Sequence, residues 1–355
     1  MKYRIKIFDD FNNTELKEAW LRLQLENDIF PQMFYEWINP WLKSKELKIE
    51  VYIITVTKDG LIEAIAPFCI EKKGFIKVLK TIPIHFGDFF MFISKQSSSI
   101  NKEIIKHTKK CIRWDVVHFY NINSKNLLNK NLYLEGFKSN FLVNIHSADF
   151  KDLIYEDFLL TLSKNTRGQY RKKLNRIQRK GVVNFEIITT KESYMKNVDE
   201  MNNLYKKRWE NEDRNLPSQE YYNMRTEAIS SCFDKGKAAL FKLSINGNAI
   251  SYRLGFLHKK SFYDWKVVHH PDYNYYSPGN LLVGMIIDKI IDDGYEKFNF
   301  MTGDYRYKRS WVSEDQTTYN SEYFYSKNMS FGTFYLIYRI KCRDKLKEIY
   351  FKFKK

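Results

Sequence analysis

The chain lacks any apolar run approaching the roughly 20 residues that a bilayer-crossing helix requires, and its opening residues, Met1 to Phe11, alternate polar and apolar side chains. A secretory leader would instead place positive charge before an unbroken apolar stretch. Cysteine is scarce and scattered: Cys69, Cys111, Cys232 and Cys342 stand alone, without the close spacing of zinc ligands or redox dithiols. Inert thiols in a reducing compartment are expected, hence a cytoplasmic protein, with the membrane surface left open as a place of work. Also missing are a metal cluster, a Gly-x-Ser-x-Gly elbow, a Walker loop, a zinc finger, a dinucleotide fingerprint and a cysteine nucleophile. No heptad run, low-complexity tract or short-period repeat is present, which speaks against a coiled-coil arm.

What is present is a globular composition. Hydrophobic residues make up 44% and charged residues 28% of 355, enough to bury ordinary cores, and the length favours two domains. Lys and Arg number 59 against 42 Asp and Glu, a formal charge of +17. That excess favours anionic partners: nucleic acid, membrane surface, nucleotide or phosphorylated substrate. The 17% aromatic share suits either a ligand cleft or a densely filled core.

Hydrophobic periodicity predicts a mixed α/β first half. A strand over Tyr3 to Phe8 precedes a helix capped at Asn13-Thr14 and running to Glu26, then an aromatic helix from Gln32 to Leu42. Ile49 to Thr57 and Leu61 to Ile70 form a hairpin across Lys58-Asp59-Gly60. Strands are predicted at Phe75 to Leu79, Phe89 to Ile93 and Asp115 to Tyr120, with a helix from Ser99 to Cys111.

The second half opens with a basic helix, Asp157 to Lys180, followed by a strand at Val183 to Thr190 and helices at Ser193 to Trp209 and Pro217 to Lys235. Three strands follow, Ala238 to Ile245, Ala249 to Leu257 and Ser261 to Val268, the first two joined by an Asn246-Gly247 hairpin turn. A loop, a helix from Ser277 to Asp293, a strand at Lys297 to Met301, a strand at Tyr319 to Tyr325 and a basic helix from about Phe331 complete the pattern. Meander, helix, strand is an α+β layout with a helical crossover between neighbouring parallel strands.

Ser277-Pro278-Gly279-Asn280 is the sharpest local feature. Serine suits the N-cap, proline the first turn, and glycine gives close access to the backbone. The nearly continuous apolar run Leu281 to Ile287 buries the helix and so fixes its N-terminus, whose free N–H groups favour a phosphate or carboxylate. A capped core helix without a ligand reads the same way. On the basic helix, Tyr170, Leu174 and Ile177 form the packed stripe, leaving Arg167 and Arg171 on one face as a potential phosphate clamp or a solvated surface.

Residues Leu243 to Trp311 resemble the C-terminal domain of the CelD-like branch of GNAT acyltransferases, which is related to the FemAB-like peptidyltransferases. Asn246-Gly247, Gly255, Tyr263 to Lys266, Asp272, Ser277-Pro278-Gly279, Gly294, Phe298 to Phe300, Gly303 and Tyr307-Lys308-Arg309-Ser310-Trp311 carry the match. Leu162 to Arg167 and Tyr170 to Leu174 add the family's basic helix. The first half is similar in pattern only, through its aromatic helix, Gly87-Asp88 and the Trp114-Asp115 strand.

The resemblance implies an α+β (α/β layered) protein of two GNAT-like domains, residues 1–150 and 151–355. Each would be a mixed, largely antiparallel sheet flanked by helices, with a splayed parallel strand pair. It implies acyl-CoA as co-substrate, without a metal. Amides of Trp265, Lys266 and Val267 would hold the pantetheine, and Ser277, Gly279 and Asn280 would face the diphosphate. Lys308 is similar in placement to a lysine near the reacting carbonyl of FemAB-like enzymes, where a cation stabilises an oxyanion. Asp264, His269 and Tyr276 are candidate acid or base groups, and Arg167, Arg171, Asp304 and Trp311 candidate acceptor contacts. His270, adjacent to His269 on a strand, would point to the opposite face. The family's usual Gln/Arg-x-x-Gly-x-Gly/Ala phosphate loop is not reproduced by Tyr275 to Asn280. Three functions therefore stay open: acyl transfer from acyl-CoA to an amine or hydroxyl of a small-molecule or glycan-precursor acceptor, as in cell-surface polysaccharide synthesis; aminoacyl transfer from tRNA; and a non-catalytic module for anionic ligands.

Overall fold

The computed structural model describes residues 3–43, 49–83, 87–95, 97–209 and 218–326, together with 334 and 338. Strand β1 (Arg4–Phe8) leads to helix α1 (Thr14–Glu26), whose first turn is capped by Asn13 accepting from the Leu16 amide. Pro31 opens a short 3-10 turn before α2 (Tyr35–Lys43). Next come β2 (Ile49–Lys58), β3 (Leu61–Lys73), β4 (Ile76–Thr81), the two-residue β5 (Ile93–Ser94), α3 (Ser98–Cys111), β6 (Val116–Asn123), α4 (Leu127–Leu134) and β7 (Lys138–Asp149). The later elements are α5 (Tyr155–Thr161), α6 (Lys164–Gln178), β8 (Val183–Ile188), α7 (Lys191–Trp209), α8 (Gln219–Asp234), β9 (Ala238–Ile245), β10 (Asn248–His258), β11 (Ser261–His269), α9 (Pro278–Asp292), β12 (Lys297–Asn299), α10 (Arg306–Arg309) and β13 (Thr317–Ser326).

Several elements differ from the sequence reading. The strand expected over Phe89 to Ile93 shrinks to β5, although Phe89, Phe90 and Phe92 are all buried. The single basic helix is two helices, interrupted at Leu162-Ser163, where the Ser163 hydroxyl accepts from the Thr166 amide and starts α6. Strand β12 stops at Asn299 because its side chain accepts from the Met301 amide, and Met301 turns to φ +55°. Elements α4 and β7 have no counterpart in the sequence pass. The C-terminal helix expected from about Phe331 lies outside the described residues.

Chain contacts divide the protein into two units. One comprises Met1–Leu23, Leu47–Phe141 and Ser321–Lys355; the other comprises Gln24–Glu46 and Leu142–Asn320. The first unit's sheet has the order β1-β2-β3-β4-β6-β13, antiparallel through β4, with β4 and β6 parallel and Val78 opposite Val116. The second unit has the order β8-β9-β10-β11-β12-β7, again antiparallel until one parallel pair, β11 with β12. Each unit is thus a mixed, largely antiparallel sheet flanked by helices, and the two repeat one topology. In each, the closing strand comes from the other half of the chain.

The second unit holds the candidate site. One face of its sheet is covered by α9 with α5 and α6, around Phe241, Phe262, Phe298, Leu282, Ile286 and Trp311. Helix α6 approaches α9 so closely that a Cβ on Gly284 would lie 2.4 Å from the Tyr170 ring. The other face is covered by α2, α7 and α8. Helix α2 buries Trp37 edge-on to Phe256 (5.1 Å) and Trp265 (5.2 Å), and its buried Glu36 pairs with Lys237 at 2.8 Å. Among the described residues, no helix is long and apolar enough to cross a membrane.

Candidate functional site

Strand β11 organises the site. Its parallel pairing with β12 covers only Ser261, Phe262 and Tyr263, opposite Lys297, Phe298 and Asn299. Beyond Tyr263, β11 continues to His269 while β12 ends, so the two strands part. On its other edge, β11 is bulged: Gly255 pairs with Asp264 but Leu254 with Lys266, leaving Trp265 as the extra residue. Gly255 permits this, since a Cβ there would lie 2.2 Å from Phe262 and 2.6 Å from the Tyr263 carbonyl. The bulge turns two successive side chains, Trp265 and Lys266, onto the α7–α8 face, while Asp264 and Val267 face α9.

Facing α9, the Asp264 carboxylate is buried and bonded to the equally buried Arg253, whose Nη2 donates to the Gly279 carbonyl at 2.9 Å. Burial pushes the Asp264 carboxyl up against the opposing pull of Arg253 and Lys308. Asp264, expected as an acid or base at the cleft, is an interior group whose Oδ1 has no hydrogen-bond partner; Arg253 Nε has none either. Lys308 is 5% exposed, and its Nζ donates to the carbonyls of Phe300 (2.5 Å) and Thr302 (2.6 Å) in the turn after β12. Its cation therefore sits at the mouth of the strand splay, within electrostatic reach of Asp264.

The N-terminus of α9 departs from the expected cap. Ser277 occupies the N-cap position at φ +51°, and its side chain bonds no helix amide. Its hydroxyl instead accepts from Lys173 of α6 at 2.8 Å. Burial, then the neighbouring Arg176, lowers the Lys173 amine from its ordinary value, and Arg176 lies 4.1 Å from the Tyr275 ring centre. Gly279 lets the helix approach β11, its Cβ position being 3.1 Å from Val267 and 3.7 Å from His269. Asn280 accepts from the Trp311 indole at 2.8 Å, and Trp311 is fully buried against Tyr170. Trp311 is thus a core residue that pins the start of α9. Tyr276 packs with Tyr273 and Tyr275 in the preceding turn.

The expected Arg167–Arg171 clamp does not form. The Arg167 Nη1 donates to the carbonyls of Leu160 (2.8 Å) and Leu162 (3.0 Å), closing the C-terminus of α5, while Arg171 is exposed on α6. The cations gathered at α9 are Lys173 and Arg176. Asp304 lies 2.9 Å from Nε2 of the buried His146 and 3.6 Å from Arg309, and His146 Nδ1 lies 3.1 Å from the Thr317 hydroxyl. Burial alone would raise the Asp304 carboxyl, but the hydrogen bond from His146 and the charge of Arg309 outweigh it and hold the group below its ordinary value. His270 bonds the Asp272 amide and starts the 3-10 turn. Arg253 escaped the sequence reading because its strand carries no motif, and His146 because it lies in β7, which the sequence reading did not anticipate. The described residues include no group of three or more His, Cys, Asp or Glu placed to hold a metal.

On the α7–α8 face, Lys266 donates to Asn202 at 3.2 Å and lies 4.6 Å from the Tyr205 ring centre. Burial, with Arg225 close by, pulls its amine down from 10.5 to about 7. Unfolding restores the ordinary value, so between these two pH values the unfolded chain binds a proton that the folded chain does not. Stability then rises with pH through that window. Urea unfolding of the wild type is expected to show this slope from pH 7 to about 10 and Lys266→Met to lose it. Identical slopes in the two proteins would contradict the assignment.

The second unit thus brings together a bulged strand, a splayed parallel partner and the N-terminus of α9. The acetyltransferase (GNAT) domain family matches residues 164–309, from the start of α6 to α10, and the chain has a tandem GNAT-like fold. FemX is similar over 92% of this chain and 98% of its own, with a TM-score of 0.63 at 13% identity. The C-terminal domain of a putative lysylphosphatidylglycerol synthetase from Agrobacterium fabrum is similar over 90% and 94%, with a TM-score of 0.55 at 13% identity. L-PGS from Bacillus licheniformis covers the same shares, with a TM-score of 0.54 at 14% identity. No curated protein sequence matches the chain significantly.

Proposed function

We propose that the chain is an acyltransferase that moves an acyl group, acetyl in the simplest case, from acyl-CoA to an amine or hydroxyl of a polar acceptor. A sugar-containing precursor of a cell-surface polysaccharide is the acceptor we favour, with the reaction on the cytoplasmic side. The observation that carries this reading is the parting of β11 from β12 after Tyr263, beside the α9 N-terminus. The pantetheine would take the place of the missing strand pairing along Trp265 to Val267. The diphosphate would meet the first amides of α9, where the helix dipole and Lys173 favour negative charge.

Attack by the acceptor on the thioester carbonyl builds negative charge on its oxygen. Lys308, a buried cation fixed by two carbonyls, would stabilise that charge at little reorganisation cost. Collapse of the tetrahedral species then breaks the carbon–sulfur bond, and in net terms the proton lost by the attacking amine or hydroxyl ends on the departing thiolate. Titration calorimetry with acetyl-CoA and longer acyl-CoAs is expected to give saturable binding at one site. Failure of every chain length to bind would remove acyl-CoA as donor.

One observation favours a second donor. Lys164, Arg171 and Lys172 are exposed on α6, a helix without a single acidic residue, and Arg179 is exposed at its C-cap, as suits the phosphate backbone of aminoacyl-tRNA. Filter binding of tRNA would then weaken steeply with salt; weak binding indifferent to salt rejects this alternative.

A further inference from the structure

The α7–α8 face of the sheet carries two cations that form no ion pair with any described residue. Lys266 is largely buried and its bond to Asn202 is to a neutral oxygen. Arg225 on α8 lies over the rings of Tyr222 (5.7 Å) and Trp265 (5.9 Å). Of the acids nearby, Asp199 shares the surroundings of Tyr222 and Tyr194 with Arg225 without forming an ion pair with it, and the others are engaged elsewhere. On α7, Glu200 is taken by Lys242 of β9 at 3.3 Å and by the Tyr252 hydroxyl of β10, while Asp199 lies toward Tyr222. On α2, Glu36 is held by Lys237 and Gln24. Placing one cation beside another in a partly dry setting is unfavourable unless an anion completes the group, and the depressed amine of Lys266 reports that cost.

We infer that Lys266, Arg225 and Asn202 form a subsite for an anionic oxygen group of the acceptor, a carboxylate or a phosphate, with Trp265, Tyr205 and Tyr222 as walls for the ring that carries it. Arg225 offers a planar fork for two oxygens, and Lys266 a point charge beneath it. The Asn202 side-chain amide is oriented by the Val198 carbonyl and the Tyr222 hydroxyl, both at 2.6 Å, which leaves its oxygen toward Lys266. The bulge at Trp265 makes the subsite, since it puts Trp265 and Lys266 on the same face. That face lies opposite α9, so donor and acceptor would meet from the two sides of the splay. This inference rests on the acyl-transfer reading and names the substrate class as acidic.

The test is titration calorimetry of the full chain, without acyl donor, using phenyl phosphate, benzoate and the neutral benzyl alcohol. At least one anion is expected to bind ten-fold or more tightly than benzyl alcohol, and the better of the two identifies phosphate or carboxylate. Because an anion restores the charge of Lys266, binding at pH 8 should take up a proton, seen as different heats in HEPES and Tris. Lys266→Met should abolish the uptake, and Arg225→Met should weaken the anion ten-fold while keeping it. Removing the Lys266 charge relieves the fold, so loss of binding in Lys266→Met with an intact thermal transition is not unfolding. Equal binding of all three probes, or the same proton uptake in Lys266→Met, overturns the subsite. Since no acyl donor is present, that failure would leave acyl transfer standing, and failure of acyl-CoA to bind would leave the calorimetric result untouched.

Discussion

Lys308→Met is expected to lower acyl-transfer turnover about 100- to 1,000-fold, the usual loss when one oxyanion donor is removed, while acyl-CoA affinity changes by no more than a few-fold. Methionine fills nearly the same volume without charge. The turn that holds Lys308, with Gly303 at φ +102° and Met301 at φ +55°, is a backbone shape built around its ammonium: two carbonyls, of Phe300 and Thr302, converge on it. A charge held this way is already aimed before the reaction begins. Lys308→Arg keeps the charge but not the compact geometry, and should recover little. Steady-state kinetics alongside donor titration separate the outcomes. Parallel losses of turnover and donor binding would assign Lys308 to the framework of the turn rather than to the transition state.

Asp264→Ala is expected to destabilise the fold by about 3–5 kcal/mol, because it leaves Arg253 charged and unpaired inside the second unit. The double variant Arg253→Met, Asp264→Leu should recover most of that loss. In the native pair Arg253 Nε and Asp264 Oδ1 have no hydrogen-bond partner, so the pair is incompletely satisfied and apolar replacements forfeit little. Denaturant midpoints for the two singles and the double form the cycle that measures it. The double variant also cuts the bond from Arg253 to the Gly279 carbonyl, which ties the start of α9 to β10. A stable double variant with impaired donor binding would identify that tie as the reason for a buried charge at this place. Additive losses would show that the pair is not coupled.

The elements that were legible in the sequence are those whose signals are local. Asn246-Gly247 takes φ values of +49° and +81°, and the strands it joins pair in register from Asn248 opposite Ile245, because only residues tolerant of positive φ make that turn. Helix α9 announces itself through Pro278 and the apolar run behind it, and β9 to β11 through their alternation. What could not be read was decided by partners that no local spacing announces. Ser277 looks like an N-cap, yet a lysine 104 residues away takes its hydroxyl. Arg167 looks like a free cation on a helix face, yet the break at Leu162-Ser163 brings the carbonyls of Leu159, Leu160 and Leu162 to its guanidinium. Trp265 and Lys266 look like alternating strand residues, yet the bulge opposite Gly255 puts both on one face.

The same distinction holds for the whole chain. By itself the sequence determined the α+β class, the meander and its crossover helix and the excess of positive charge, since each depends on residue spacing or composition alone, and it carried the resemblance to GNAT acyltransferases in its motifs. Only the tertiary structure decided which segments make a unit. Helix α2 buries Trp37 and Ile38 in the second unit although it precedes β2 of the first, and β7 and β13 each close the sheet of the other half's strands. An apolar face specifies that it must be covered but not by what. The cover that wins is the one whose shape, ring stacking and buried polar pairing fit together, and those exist only once the chain has folded.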